Sequence, residues 1–128
     1  MVDELVGFEL AVLAKEKGFD IPVFRWYYSI NGLNGKEDSS TMGKSFYKNH
    51  SKRGKLYYSA PTQSLLQRWL RETKGIYVSP MFIGPDTNKH RCRIDVHGSG
   101  QTGHYTQWFE THEEALEFGL KTALNNII

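Results

Sequence analysis

The stretch "SAPTQSLLQRWLRETKGIYVSP", Ser59 to Pro80, carries the sharpest punctuation in the chain and decides how the rest is read. Pro61 suits the first turn of a helix, where a missing N–H is no loss, and Ser59 or Thr62 can supply the cap. Leu65, Leu66, Trp69 and Leu70 then fall on one stripe, with Gln63, Gln67, Arg68 and Arg71 mostly opposite. Gly75 ends the helix, and "IYVSP" opens a strand. One amphipathic helix delivered into a strand is the unit from which the fold is argued.

Downstream, "IYVSPMFIG" and "KHRCRIDVHG" read as two strands joined by "PDTNK", a connector of hairpin length. Pro80 cannot donate to a ladder, so the first of them is expected at a sheet edge or with a bulge. In the second, Cys92, Ile94 and Val96 share an inward face while Arg91, Arg93, Asp95 and His97 alternate outward. Cys92 is therefore expected as a small core residue and not a nucleophile. After "GSGQTG", "HYTQWF" adds a third strand. "THEEALEFGLKTALNNII" closes the chain as a helix, with Thr111 and Glu114 in capping-box spacing. Leu116, Leu120, Ala123, Leu124 and Ile127 face one way; Ala115 and Gly119 let that helix lie close on a sheet, and Phe118 points elsewhere.

Upstream, residues 3–17 predict a helix, with acids in its first turn, lysines in its last, and Gly18 at the left-handed cap. Its apolar stripe is wide, and Glu9 falls between the two sides as a half-buried, paired carboxylate. "IPVFRWYYSING" reads as a strand with Phe24, Trp26, Tyr28 and Ile30 on one face. Residues 32–55 read as a basic excursion, and "KLYYS" returns as a short strand. The sum is an α+β chain of order α-β-(β)-α-β-β-β-α: a single antiparallel sheet of about four to five strands packed with three helices, in one domain over 1–128.

Composition narrows the function. At 128 residues the chain is long enough to bury roughly two-thirds of its unfolded surface. A formal charge of +2 is too small to imply nucleic acid unless the cations cluster. One cysteine excludes an internal disulfide and any cysteine-only metal site, and fits a reducing compartment. No run approaches the ~18 apolar residues of a membrane helix, and Asp3 and Glu4 stand where a signal peptide would carry lysines. The expectation is a cytoplasmic protein with no membrane role; the oligomeric state stays open.

No nucleophile elbow, P-loop, dinucleotide fingerprint or HExxH helix is present. The "GSGQTG" run lies between strands, whereas a phosphate cradle needs a helix directly after it. His97, His104 and His112 lack the local spacing that presets a metal site, so no metal and no cofactor are expected. Asp95 with His97 is the one candidate for acid–histidine catalysis, and a non-enzymatic role is favoured over it.

The basic side chains give the binding candidates. Lys44, Lys48, Lys52, Arg53 and Lys55 form an acid-free run interleaved with Phe46, Tyr47, Tyr57 and Tyr58, which suits a single strand held by charge and stacking. Arg68, Arg71, Arg91 and Arg93 are further cations for such a partner. Residues 61–128 share the element order and length of the double-stranded-RNA-binding domain, but the last helix opens with Thr111, His112, Glu113 and Glu114 where that family places lysines for phosphate. That likeness is architectural only.

Three segments, "LAKEKGFDIPVF", "YSAPTQSLLQRWLRE" and "FETHEEALEFGLKTAL", resemble small uncharacterised proteins encoded in bacteriophage and prophage-like regions of bacterial genomes. The resemblance spans nearly the whole chain and brings no catalytic residues with it. It implies a phage accessory protein acting in the bacterial cytoplasm as a small binding module, with a host or phage protein as partner. Nucleic acid, taken by the basic loop 44–55, is the alternative partner.

Overall fold

The computed structural model describes residues 4–23, 25–29, 35–38, 57–83, 89–98 and 103–127. Its elements are α1 (Phe8–Glu16), β1 (Trp26–Ser29), β2 (Gly35–Asp38), β3 (Tyr57–Ser59), α2 (Gln63–Trp69), β4 (Ile76–Ile83), β5 (Lys89–Val96), β6 (His104–Tyr105) and α3 (His112–Thr122). A wider π-type turn continues α2 over Leu70–Lys74, and another continues α3 over Ala123–Ile127. The chain forms two compact units, Met1–Thr62 and Gln63–Ile128.

In the first unit α1 begins later than the sequence predicts. Residues 5 and 6 are spent in extended pairing: Leu5 bridges to Thr62, the Val6 N–H donates to Pro61 O at 2.9 Å, and the Val6 carbonyl accepts from Tyr27 Oη at 2.7 Å. A helix starting at Asp3 would forfeit those bonds. The other end follows the expected chemistry. Gly18 takes φ 96°, its N–H donates to Lys15 O at 3.1 Å, and the Phe19 N–H donates to Ala14 O at 2.9 Å. This pair of bonds is a Schellman motif, and it turns Phe19 into the core. Glu9 is exposed, a correction to the half-buried carboxylate expected there. The buried face of α1 consists of Leu10, Ala11 and Ala14.

The first sheet has the order β2-β1-β3, with both pairs antiparallel. Trp26 of β1 is buried as its alternation requires; the side chains of Phe24, Tyr28 and Ile30 lie outside the described residues. Phe8 meets Tyr27 and Tyr58 edge-on at 5.7 and 5.5 Å, and Lys15 lies over the Tyr58 ring at 4.8 Å while its Nζ donates to Tyr57 O at 2.9 Å. Partial burial there lowers the Lys15 pKa.

The second unit has the order α2-β4-β5-β6-α3, with a second antiparallel sheet in the order β4-β5-β6. The α+β class stands, but among the described residues the single sheet of four to five strands is replaced by two antiparallel sheets of three strands each. Two local features account for it. The strand β2 lies inside the segment read as an excursion, because "GKED" has no apolar alternation and is defined by its ladder to β1 alone. β3 is followed at once by Ala60 and Pro61, and proline has no N–H with which to extend a ladder.

Pro61 precedes α2, two residues before its first turn, and offers its carbonyl to Val6. Leu66, Trp69 and Leu70 are buried as the stripe predicts. Gln63, expected opposite them, is buried too: its Nε2 donates to Glu113 O at 3.0 Å and to Glu117 Oε1 at 3.1 Å, tying α2 to α3. Gln67 Nε2 donates to Val78 O at 2.6 Å. Gly75 closes the helical segment at φ 66°, its N–H reaching Leu70 O, and its own carbonyl accepts the His97 N–H at 2.8 Å where β4 and β5 begin and end.

β4 is an edge strand, as Pro80 requires, and pairs with β5 along its whole length from Ile76↔Val96 to Ile83↔Lys89. Ile76, Val78, Cys92 and Ile94 are buried on the inward face beneath Ala115, Leu116, Leu120 and Leu124. Gly119 sits over Cys92 and Val78. Thr111 caps α3, its Oγ1 accepting the Glu114 N–H at 3.1 Å and donating to Glu114 Oε1 at 2.9 Å, so the capping-box spacing does form a reciprocal local pair.

Candidate binding face on the second sheet

Alternation along β4, β5 and β6 sends one set of side chains away from the helices. The register places Tyr77 beside Asp95, Ser79 beside Arg93, Met81 beside Arg91 and Arg93 beside Tyr105. Tyr77 is 43% exposed, Met81 38% and Tyr105 49%. Lys89 shares the parity of Arg91 and Arg93, so three cations follow one another at every second residue of the central strand. Asp95 is the acid in that row.

Arg91 is held by aromatic faces. Its guanidinium carbon lies 4.3 Å from the centre of the Tyr105 ring and 4.2 Å from that of Trp108. Trp108 is brought there by the chain beyond β6: the Thr106 N–H donates to Cys92 O at 2.9 Å, and His90 and Phe109 exchange backbone bonds at 2.8 and 2.7 Å. The segment "HYTQWF" is thus a two-residue strand followed by looser pairing, not the regular strand the sequence suggests. Arg91 Nε is buried without a hydrogen-bond partner among the described residues. The stacked rings hold the Arg91 stem and guanidinium in one place on the sheet.

Arg93 is paired differently. Its Nε donates to Asp95 Oδ1 at 3.2 Å, with Oδ2 at 3.1 Å, and its guanidinium carbon is 5.8 Å from the Tyr105 ring. The hydrogen bond to Asp95, then the charge of Asp95, raises the Arg93 pKa. A β-carbon on Gly103 would fall 2.5 Å from both Arg93 Nε and Asp95 Oδ1, so the chain entering β6 passes tightly over this pair.

Of the cations named from sequence, Arg91 and Arg93 therefore share one face. Arg68 and Arg71 do not join them. They are exposed on α2 and its continuation, in the helical layer, and Arg68 Nε binds Glu72 Oε1 at 2.9 Å. That bond to Glu72 is the main cause of a raised Arg68 pKa. Lys44, Lys48, Lys52, Arg53 and Lys55 lie outside the described residues.

The remaining candidates sort quickly. Asp95 lies on the open face with its carboxylate committed to Arg93, which counts against catalysis with His97. His97, His104 and His112 are exposed, and among the described residues no three His, Cys, Asp or Glu side chains gather as metal ligands. Cys92 is fully buried, its Sγ donating to Ala115 O at 3.2 Å and its N–H to Thr106 Oγ1 at 3.0 Å; burial pushes the thiol up to about 12. Phe118 is 37% exposed and its ring rests 5.2 Å from that of Phe109.

Tyr77, Met81, Lys89, Tyr105 and Trp108 were not among the sequence candidates. The parity of β4 with β5 could have found the first three; the positions of Tyr105 and Trp108 depend on pairing that a two-residue strand does not announce. Among the described residues no helix is long and apolar enough to cross a membrane. No family model, curated protein or solved structure matches the chain.

Proposed function

We propose that the chain is a non-enzymatic binding module of phage accessory type, and that the open face of the β4-β5-β6 sheet is its contact surface for an anionic macromolecule. The observation that carries this reading is Arg91 clamped between Tyr105 and Trp108. A guanidinium stacked on aromatic rings loses little freedom on binding and presents its remaining donors in a fixed geometry matched to carboxylate or phosphate. Lys89 and Arg93 extend the positive row on either side, and exposed Tyr77, Met81 and Tyr105 supply apolar area of the kind that marks an interaction site.

The test is retention of the full chain on immobilised heparin, a generic polyanion, at low salt. The wild type should be retained and eluted by salt, and Arg91→Glu should elute markedly earlier. Absence of retention, or identical elution of the variant, would reject the face as an anion-binding surface.

A host or phage protein as partner keeps one observation of its own. Phe109, ahead of α3, and Phe118, in the middle of that helix, form an aromatic pair, and Phe82, 51% exposed, lies against the His90 ring at 4.7 Å. Phe118→Ala should then weaken recovery of a protein partner while leaving heparin retention intact.

A further inference from the structure

Resting on the reading of the open sheet face as an anion-binding surface, we infer that its ligand is a single-stranded nucleic acid, taken with its phosphates along β5 and its bases on the flanking tyrosines.

Three features of the face choose this ligand over other polyanions. The first is the row itself. Lys89, Arg91 and Arg93 stand at alternate positions of one strand, about 6.7 Å apart from one to the next, with Arg93 ion-paired to Asp95 at the end of the row, so the positive charge forms a rail strongest at Lys89 and Arg91 and not a cluster. A linear polyanion with charges repeated along its length satisfies a rail; a single carboxylate or free phosphate satisfies one member of it.

The second is the placement of flat groups. Tyr77 lies on the strand at one side of the rail and Tyr105 on the strand at the other. Tyr77 pairs with Asp95 and Tyr105 with Arg93, so the Cα positions of the two tyrosines are separated by two strand spacings and one two-residue step, about 12 Å in all. Both residues are close to half exposed, Tyr77 more freely than Tyr105, whose ring already carries the Arg91 guanidinium. Stacking on exposed tyrosine is open to every base and is worth about 1–3 kcal/mol per base. An acidic polypeptide has no planar group at each repeat with which to use them.

The third is the state of Arg91. Its guanidinium already lies against the Tyr105 and Trp108 rings, and its Nε is buried, which leaves the terminal nitrogens as the working edge. Such an edge takes two oxygens of one group, a geometry that a phosphodiester meets as a carboxylate does, so the choice between them falls to the rail and the tyrosines. A duplex fits the same face poorly, because paired bases cannot reach Tyr77 or Tyr105.

The experiment is fluorescence anisotropy of labelled 12-mer single-stranded RNA and DNA, the matched duplex and a poly-glutamate peptide, titrated with the full chain and run alongside heparin retention. Single strands should bind more tightly than duplex or poly-glutamate, with a log–log salt slope of about −2 for three phosphate contacts. Tyr77→Ala should weaken single-strand binding by about 5- to 100-fold, the equivalent of one lost stack, and should shift heparin elution by a far smaller factor than Arg91→Glu does. Tyr77→Phe should retain binding. Circular dichroism and thermal melting of both variants separate a lost contact from a lost fold; were Tyr77→Ala unfolded, Tyr77→Leu would take its place. Heparin retention with no preference for single strands, or with binding indifferent to Tyr77→Ala, overturns the nucleic-acid assignment and leaves the anion-binding face standing. Loss of both binding activities overturns the two together.

Discussion

Gly119 of α3 lies so close to Cys92 of β5 that a β-carbon at position 119 would sit 2.8 Å from Cys92 Cβ and 2.9 Å from its Sγ. The helix can approach the sheet this closely only because the residue facing Cys92 has no side chain. Val78 Cγ1 closes the same gap from β4, 3.0 Å from the hypothetical carbon.

Gly119→Ala sets two effects against each other. Helix propensity favours alanine by about 1 kcal/mol, while overpacking a core contact costs about 1–3 kcal/mol. With Cys92 Cβ fixed by the backbone of β5, packing should win, and the urea midpoint should fall by the equivalent of up to about 2 kcal/mol. A raised midpoint would show that the helix moves away at little cost.

The Cys92 thiol should be unreactive in the folded protein and should make stability depend on alkaline pH. Its pKa is pushed from 9.0 to about 12 by burial. Below pH 9 the thiol is protonated whether folded or unfolded, and its contribution is fully present. Between pH 9 and about 12 the unfolded thiol ionises and the folded one does not, so the unfolded state gains and stability is lost. Urea denaturation of wild type and Cys92→Ala across this range should show a steeper decline in the wild type. Rapid labelling of native protein by a thiol reagent at pH 8 would contradict the burial.

Gln63 should behave as a core residue. Gln63→Leu removes the bonds to Glu113 O and Glu117 Oε1 and should cost about 1–3 kcal/mol, read from denaturant unfolding. An exposed glutamine of the same helix would tolerate the change within about 0.5 kcal/mol.

Arg91 should matter more for binding than for stability. Arg91→Met keeps a long stem between Tyr105 and Trp108 and removes a buried Nε that has no partner among the described residues, so the melting temperature should hold or rise. Heparin retention should drop in the same variant. A large loss of stability would mean that Arg91 serves the fold itself.

Local chemistry was legible in the residues alone. The stops at Gly18 and Gly75, the cap at Thr111, the stripe of Leu66, Trp69 and Leu70, the inward set of Cys92 and Ile94 and the edge position of Pro80 all follow from constraints spanning at most a few residues. Capping, periodicity and the missing proline N–H are properties of a short segment, so a short segment announces them. Partnership is different. That β1 takes β2 and β3 as neighbours while β4 and β5 build a second sheet with β6 depends on which distant backbone groups find each other. The burial of Gln63 depends on Glu113 and Glu117, about fifty residues further on. The same holds for the candidate site: alternation puts Arg91 and Arg93 on an outward face, but of the rings that hold Arg91 one comes from the two-residue strand β6 and the other, Trp108, from a loosely paired segment past it. Only tertiary structure could decide that, because the bonds placing Trp108 run between backbone groups of two strands and leave no periodic mark in either.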